Sequence, residues 1–516
     1  MRQAFCEIQQ DLQKLSLAVN LRKCTVWGPG AHLVKASPAG CPLREIPVTP
    51  YEAGSGLKVL GVPIGKPGET AFQDKLLQGR VDDLQKTCDH LSLVPDPQIQ
   101  HVLLRQCLDA AKLQYAMRTT PTCSQEAWSS LTKADAAIFN VVEEMVGGGL
   151  DPITRAQVGL PFSQGGCGVR LPTHVRDQAR LAGMTAYLQN GRRQVGIPEM
   201  ALGMLPDDAH AVIAHARGVL GQTFDPLVDW ARDPTVIAVA DREYAKQSWW
   251  GDRFDSARRS ALTQSVESRN SARLESQSGG YGSAWMQVVP TDAGQGLIKA
   301  EDYRLGLRWV LGLPLLGQDK EGAKCPACGA CVDVFGDHLL CCRRNNFYGR
   351  HFAVQESFIS MAQAGDQPFM REVQLARANA VPNGPSLRPA DLLLKTWQGG
   401  KDLAVDITIS HPLQISQQPW TAAKAKGYLS TVEKKKMAKY GEACRLEGWD
   451  FTGAAFDTWG GVGPGAKQLL FKLLRRAVGG VPTELRALRA QEHKQHLSLA
   501  LMRQVWKLLS AKNSFA

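Results

Sequence analysis

The sequence predicts a multidomain α/β protein with a mostly helical N-terminal half and a smaller α/β domain near the C-terminus. The chain has 516 residues, of which 44% are hydrophobic, so it is long enough to bury several cores. Amphipathic patterns at helical spacing dominate residues 71–188, whereas two apolar runs around Gly399-Gly400 predict a β-hairpin. Between these regions, a cluster of cysteines and one histidine predicts a small metal-binding segment.

Charge and composition indicate the class of partner. The formal net charge of +11 and the pI near 9.0 favour a polyanion such as DNA or RNA. No apolar run reaches membrane-spanning length, and the first residues lack the layout of a signal peptide, so we expect an intracellular protein, nuclear or cytoplasmic. The glycine-rich stretch Leu160–Leu171 lacks the Gly-Lys-Ser/Thr ending of a phosphate loop, and we expect no small-molecule cofactor.

The N-terminal half is predicted to be largely helical. After a helical pattern at the start, residues 19–27 are expected to be extended, and Leu57–Gly65 is predicted to be a strand entering a turn. Ser271–Ser283, rich in serine and glycine, predicts a flexible boundary. The predicted helices are Ala71–Leu91, Gln98–Met117, Trp128–Val146 and Thr173–Leu188.

Cys325, Cys328, His338 and Cys342 have the spacing of a tetrahedral zinc site, with Cys341 or Cys331 as possible substitute ligands. Four protein ligands would leave no open position for water, so this zinc would be structural. The alternative is a turn that contains reduced, buried cysteines. Four basic residues follow at once and would form an edge that contacts phosphate: Arg343, Arg344, Arg350 and His351.

The predicted hairpin carries two acids. Counting outward from a Gly399-Gly400 loop places Leu393 opposite Asp406, with Asp391 as a diagonal neighbour of Asp406 on the same face. Two carboxylates in an apolar surround need a cation, and oxygen ligands suit Mg²⁺ or Mn²⁺. The alternative is that both are ordinary strand-end acids that face solvent.

Further residues flank the hairpin. Glu372, on a predicted strand, is a third candidate acid, or else it pairs with Arg371 or Arg377. The predicted helix Ala422–Tyr440 carries a lysine run in which one member could stabilise the charge on a phosphate or orient the attacking water. Its members are Lys434, Lys435, Lys436 and Lys439, and a solvated or phosphate-steering face is the default for each. From Lys467 onward, ten Lys/Arg stand against two glutamates, which predicts a basic helical tail that binds nucleic acid.

The N-terminal part resembles a known family. Leu17–Trp27 followed by Leu57–Gly65 is similar to the part of non-LTR retrotransposon reverse transcriptases just after their catalytic aspartate pair. Leu108–Pro121 and Leu160–Leu171 resemble the thumb of these proteins and the region beyond it. The resemblance implies that the aspartate pair would precede residue 1, so polymerase activity is not expected from this chain alone.

The C-terminal part, about Gly322–Leu474, resembles the zinc knuckle and restriction-like endonuclease of site-specific non-LTR retrotransposons. The resemblance implies that Asp391 and Asp406 match the nuclease acids and that Lys436 or Lys439 is the catalytic lysine. Thr408 occupies the position where the simplest PD-(D/E)XK pattern has its lysine. In the similar retrotransposon enzymes the lysine comes from the following helix.

These resemblances imply a domain order and two functional hypotheses. The first is a metal-dependent endonuclease that nicks a DNA target, with the element's RNA as a further partner; the alternative is a catalytically silent, zinc-containing nucleic-acid-binding remnant. The expected regions are a palm remnant (1–65), a thumb-like helical region (66–190), a helical linker (191–320), a zinc knuckle (321–345), a restriction-like endonuclease domain (346–480) and a basic helical tail (481–516).

Overall fold

The computed structural model shows a mixed α/β protein that is mainly helical, with its larger sheet in the C-terminal part. It describes residues 2–39, 41–191, 208–221, 242–291, 296–316, 327–342, 347–375, 387–413 and 422–510, together with 227, 229, 322, 324, 325 and 344. The chain forms two compact units. The first comprises residues 1–87, 110–137 and 171–254, and the second comprises residues 88–109, 138–170 and 255–516.

Among the described residues before Gly322, the named elements are helices apart from one hairpin. They are α1 (Arg2–Lys14), β1 (Gly56–Val59), β2 (Val62–Gly65), α2 (Ala71–Ser92), α3 (Pro97–Leu103), α4 (Ala111–Thr119), α5 (Gln125–Val146), α6 (Pro152–Val158), α7 (Pro172–Gly191), α8 (Ala209–Leu220), α9 (Gln247–Ser265), α10 (Ser268–Ser276) and α11 (Ala300–Leu311). The predicted helices beginning at Ala71, Trp128 and Thr173 are confirmed as α2, α5 and α7. Leu57–Gly65 forms the antiparallel β1–β2 hairpin rather than one strand.

Two N-terminal predictions hold only in part. Residues 19–27 are extended at Asn20 and Cys24, as expected, but Leu21–Lys23 form a 3-10 helix between them. Val26 then makes a β-bridge to Val48. The helix expected over Gln98–Met117 breaks at a π-helical turn, Leu104–Leu108. Asp109 ends this turn in an extended conformation, and its carboxylate accepts two hydrogen bonds from the Arg170 guanidinium, each of 2.9 Å.

The predicted flexible boundary at Ser271–Ser283 is also wrong in its first part, which lies in α10. Arg273 is only 2% exposed, and its guanidinium donates to Gln157 Oε1 at 3.0 Å and to the Val310 carbonyl. The serine-rich composition suggested a flexible segment, but the hydrogen bonds of the buried arginine fix this helix within the second unit.

The C-terminal elements form a four-stranded sheet with helices on both faces. They are α12 (Asp337–Cys341), α13 (Tyr348–Ala364), β3 (Phe369–Val373), β4 (Ala390–Gln398), β5 (Lys401–Ser410), α14 (Ala422–Leu446), β6 (Asp450–Asp457), α15 (Pro464–Ala477) and α16 (Thr483–Ser510). The strand order is β3-β4-β5-β6; the first three are antiparallel, and β6 runs parallel to β5 because α14 forms the crossover between them.

The two faces of the sheet bury different helices. On one face, Val405 and Ile407 pack in a core with side chains of α13, α15 and α16, among them Phe358, Leu473 and Leu501. On the other face, Leu393 and Ala404 pack against Cys444 of α14. Because side chains alternate along a strand, Asp406 shares the α14 face with Ala404.

The β4–β5 hairpin forms around Gly399-Gly400 as predicted, but its register differs. Gln398 pairs with Lys401, whereas Leu393 pairs with Ala404 rather than with Asp406. The shift comes from a bulge between Leu394 and Gln398, where Thr396 has a positive φ of 49°. Asp402 stabilises the bulge by accepting the Thr396 N–H at 2.8 Å and pairing with Lys395.

The basic C-terminal segment is part of the fold as well as of the surface. α16 buries Leu497, Leu501, Val505 and Trp506, and it packs along α13. Among the helices that the structure describes, none is long and apolar enough to cross a membrane.

A buried histidine in the second unit predicts acid sensitivity. His101 receives a 2.6 Å contact from the Tyr303 hydroxyl at Nδ1 and donates from Nε2 to the Cys167 carbonyl at 2.8 Å, so the neutral ring is satisfied. Burial, together with Arg105, lowers its pKa from 6.5 to about 3. The stability that the neutral ring contributes is therefore complete above pH 6.5 and is lost as the pH falls towards 3.

Because His101 must be protonated when the chain unfolds in acid, we expect the free energy of unfolding of the second unit to fall by about 2 kcal/mol between pH 7.5 and pH 5. The His101→Gln variant should not show this decrease of about 2 kcal/mol. Urea titrations of both proteins at the two pH values measure it. Identical pH dependence in the two proteins would contradict the assignment.

Candidate functional site

Two carboxylates meet at the centre of the C-terminal sheet. In the observed register Leu392 pairs with Val405, which brings Asp391 of β4 directly across from Asp406 of β5 rather than diagonal to it. The Ile407 N–H donates to Asp391 Oδ2 at 2.6 Å, so Asp391 also contacts the backbone of β5. Asp406 is 4% exposed. The prediction that both acids share one face therefore holds, with a closer pairing than the sequence indicated.

Lys436 of α14 reaches Asp406. Its Nζ lies 2.9 Å from Oδ2 and 3.1 Å from Oδ1 of this carboxylate, and the Thr408 hydroxyl donates to Oδ2 at 3.0 Å. Burial raises the pKa of Asp406, and Asp391 raises it further, whereas Lys436 and the Thr408 hydrogen bond oppose the shift. Of the two candidate lysines, Lys436 contacts an acid, while Lys439 is exposed with its Nζ 4.7 Å from the centre of the Tyr440 ring.

α13 covers the other acid. His351 Nε2 lies 3.0 Å from Asp391 Oδ2, and this hydrogen bond raises the pKa of His351 against the opposing effect of burial. The Gln355 amide donates to the Asp391 carbonyl at 2.6 Å and to Glu372 Oε1 at 3.1 Å. His351 therefore faces the carboxylates, whereas the sequence predicted a contact with phosphate.

Glu372 joins this arrangement from β3. Its backbone has a positive φ of 49°, which is strained for a residue with a side chain. Arg371, which the sequence offered as a partner, pairs with Glu356 instead, and Arg377 lies outside the described residues. Glu372 thus points at the Gln355 amide, and its negative charge contributes to the raised pKa of His351.

Glu433 fixes the helix that carries Lys436. Its carboxylate accepts the backbone N–H groups of Ala455 at 3.2 Å, Gly465 at 2.8 Å and Ala466 at 3.1 Å. Gly463 is the N-cap of α15 and has no side chain to cap it, so Glu433 satisfies N–H groups that the helix leaves open. One side chain therefore connects α14 to β6 and α15, three residues before Lys436.

The other residues expected to contact nucleic acid have different environments. Lys434, Lys435 and Arg344 are exposed. Arg350 is 2% exposed and donates to the Leu340 carbonyl at 3.3 Å, so it does not belong to a basic surface as the sequence predicted. Arg343 lies outside the described residues.

The predicted zinc ligands converge. The ligand atoms of Cys325, Cys328, His338 and Cys342 all lie within 4.8 Å of one another. Cys325 Sγ is 3.9 Å from Cys342 Sγ, close to the sulfur separation of about 3.8 Å that follows from Zn–S bonds of 2.3 Å in a tetrahedron. This Cys₃His cluster could hold a zinc ion. Cys331 is exposed, and Cys341 Sγ lies against the His338 carbonyl at 3.6 Å, so neither alternative ligand belongs to the cluster.

Two aspartates fix the position of the Cys₃His segment, the stretch from Cys325 to Cys342. Asp333 accepts the backbone N–H groups of Phe335, Asp337 and His338 at 2.9–3.1 Å, which fixes the turn before α12. The Asp337 carboxylate accepts two hydrogen bonds from the Arg269 guanidinium of α10, at 2.6 and 2.9 Å. It also lies 3.4 Å from Nε2 of His411, the residue that follows β5. The segment is therefore attached to the sheet that carries Asp406.

Sequence reasoning missed Gln355, Glu433 and the Asp337–His411 contact. Glu433 precedes three lysines, a pattern typical of a solvated face. A usable signal was the Gly-Pro-Gly start of α15, which has no capping side chain of its own and therefore needs an acceptor from elsewhere.

Within the part of the chain that the structure describes, the Cys₃His cluster is the one group of three or more such ligands close enough to share a metal ion. Asp391, Asp406 and Glu372 do not form a second group of this kind. No known protein-family model matches the chain, and no curated protein is significantly similar to it.

We expect purified protein to contain about one zinc ion per chain and Cys328→Ser to contain almost none, because three ligands bind zinc much more weakly than four. Atomic absorption measures the zinc content. The matched control is Cys331→Ser, which changes an exposed cysteine outside the cluster and should retain the metal. Equal zinc loss in both variants would contradict the ligand assignment.

Glu433→Ala should destabilise the second unit by about 3 kcal/mol, because three backbone N–H groups lose their acceptor. Urea denaturation measures the change. The control is Glu442→Ala on the same helix, whose exposed carboxylate pairs with Arg445 one turn away, and it should leave stability unchanged. Equal stability of the two variants would show that Glu433 does not position α14.

Proposed function

We propose that this protein is a metal-dependent DNA endonuclease that nicks its target by hydrolysing a phosphodiester bond. The observation that carries the proposal is the convergence of Asp391, Asp406 and Lys436 from two strands and a helix that are separate in sequence. Two acids and a lysine suit metal-assisted phosphodiester hydrolysis, since the acids offer a cation site and the lysine offers a positive charge near the phosphate.

The donor set fits Mg²⁺ or Mn²⁺. Mg²⁺ is usually bound through one or two carboxylates, with water and substrate phosphate completing its coordination, so two acids suffice although they form no closed cluster of three ligands. Asp391 and Asp406 would hold the ion, with the Ile407 carbonyl as a further oxygen. When bound, such an ion neutralises charge on the scissile phosphate and makes water a better nucleophile.

The side chains of the protein divide the remaining tasks. Lys436 stabilises the negative charge that develops on the phosphate or orients the attacking water, and Thr408 keeps the Asp406 carboxylate in position. Gln355 orients the β4 backbone at Asp391, while Glu433 holds the helix that presents Lys436. The water oxygen bonds to phosphorus, the bond from phosphorus to the 3′ oxygen breaks, and a proton from the water ends on that 3′ hydroxyl.

The resemblance of the sequence on both sides of the sheet supports the proposal that this protein derives from a site-specific non-LTR retrotransposon. In that family the nick supplies a 3′ hydroxyl that primes reverse transcription of the element's RNA. The N-terminal half would correspond to part of that family's reverse-transcriptase region. The Cys₃His segment and the exposed lysines of α14 would bind nucleic acid, consistent with the net charge of +11.

The alternative, a catalytically silent nucleic-acid-binding remnant, is favoured by one observation. Both acids already have a basic partner, Lys436 at 2.9 Å from Asp406 and His351 at 3.0 Å from Asp391. Such internal pairing satisfies the carboxylates without an added cation. This alternative predicts salt-sensitive DNA binding without cleavage in any divalent metal.

Nicking of supercoiled plasmid in Mg²⁺ or Mn²⁺ separates the two. We expect Asp406→Ala and Lys436→Met each to lower the nicking rate at least about 100-fold, because each removes a group that acts on the reacting phosphate. Lys86→Met, which removes an exposed lysine side chain from α2, is the control and should retain most of the activity. Equal rates for the wild type and Asp406→Ala would refute the proposed site.

A further inference from the structure

Two exposed aromatic rings lie beside the acids on α13. Tyr348 is 66% exposed and Phe352 is 42% exposed, and their ring planes differ by only 18° with centroids 6.2 Å apart. The Tyr348 ring is also nearly parallel to that of His351, at 26° and 6.5 Å. We call these three residues the aromatic shelf. Tyr348 and Phe352 leave apolar surface exposed to solvent, and a ligand that stacked on their rings would cover part of it.

The shelf adjoins the proposed nuclease site. His351 at one end of it hydrogen-bonds Asp391, so the rings continue outward from the carboxylate that would hold the metal. A ligand that stacked on Tyr348 would be separated from Asp391 by one histidine ring. This closeness indicates that the shelf touches the same substrate that the acids act on.

The other end of the shelf borders a cavity of ≈ 510 Å³ between α13 and α16, which Phe352 lines. Several polar side chains of this cavity can donate hydrogen bonds to an anion: Ser360, His493, His496 and Arg503. One N–H of Arg503 already donates to the Leu297 carbonyl at 3.2 Å, and the Ser357 hydroxyl donates to the Ala353 carbonyl at 2.9 Å. Glu356 also lines it, but the Arg371 guanidinium pairs with both of its oxygens and offsets its charge. The cavity therefore offers hydroxyl, imidazole and guanidinium groups in a setting that suits a phosphate.

We propose that the aromatic shelf holds an unpaired base of the target DNA and that the α13–α16 cavity takes a neighbouring phosphate of the same strand. The proposal rests on the proposed nuclease function and specifies its substrate as locally unpaired DNA. Aromatic side chains stack on any base, but both faces of a base in a duplex are covered by its neighbours, so the shelf accepts only a base that has left the helix. A helix-stabilising Tyr–Phe pair with no ligand is the competing account.

Binding without cleavage tests the shelf directly. Fluorescence anisotropy in a buffer that lacks Mg²⁺ and Mn²⁺, and contains no chelator that would remove zinc from the Cys₃His cluster, measures the affinity of the full chain for a labelled single-stranded oligonucleotide and for the same sequence as a duplex. We expect Tyr348→Leu to weaken single-strand binding by about 5- to 100-fold, the range that the loss of one base–aromatic stack gives, and to leave duplex binding unchanged. Tyr348→Phe keeps the π surface and should bind like the wild type.

The matched control is Phe471→Leu, because Phe471 is 60% exposed on α15 and lines neither the shelf nor the cavity. It should bind both DNA forms like the wild type. Arg503→Gln and His496→Gln test the phosphate, and Arg503→Gln should reduce the slope of log affinity against log salt for the single strand by about 0.7. Wild-type single-strand affinity in Tyr348→Leu, or an equal loss for duplex, would overturn the proposal.

A cleavage assay separates failure of this inference from failure of the nuclease function. On a duplex with an unpaired bubble, we expect wild type to cut faster than on a fully paired duplex, and Tyr348→Leu to lose that preference. If the wild type cut both substrates equally, the proposed role of the aromatic shelf would be rejected, but the proposed nuclease function would not. If the wild type cut neither substrate, the proposed nuclease function would be rejected. The binding measurements alone would then test whether the aromatic shelf holds an unpaired base.

Discussion

The buried carboxylate of Asp406 and the ammonium of Lys436 form the contact on which the C-terminal sheet depends. Asp406 is 4% exposed, and a carboxylate in such a place is costly unless a cation or hydrogen bonds compensate it. Lys436 supplies the charge from α14, and Thr408 adds a hydrogen bond from the same strand. α14 is the crossover helix between the parallel strands β5 and β6. The Asp406–Lys436 pair therefore fixes this crossover helix against β5.

Other side chains fix the helix and the strands that carry this pair by hydrogen-bonding to their backbone N–H groups. Glu433 accepts three N–H groups and so fixes α14 against β6 and α15. At the start of α15, Gly463 leaves room for this carboxylate, since a Cβ there would overlap Glu433 Oε1. Asp402 stabilises the β4 bulge, and that bulge sets the register in which Asp391 faces Asp406. Changes at these supporting positions would therefore move the acids and the lysine relative to one another.

The Cys₃His segment and the sheet are parts of one unit. Asp337, next to the ligand His338, contacts both Arg269 of α10 and His411 after β5. A metal ion held by the four ligands would therefore stabilise the start of α12 and, through Asp337, the end of the strand that carries Asp406. The expected consequence of metal loss is a looser C-terminal end of β5, an interior strand of the sheet, in addition to an unfolded Cys₃His segment.

The sequence by itself determined the ligand set of the cysteine cluster, the hairpin around Gly399-Gly400, the helix that bears the lysines and the two acids on one face. These follow from local spacing and from strand and helix periodicity, which act over a few residues. Only the tertiary structure decided the register of the hairpin, because a bulge with a positive φ at Thr396 cannot be counted from an alternating pattern. It also decided which lysine meets Asp406, that Arg350 is buried and that His351 faces Asp391. These outcomes depend on how helices pack across the sheet, and residues with similar local sequence can lie on either side of a packed helix.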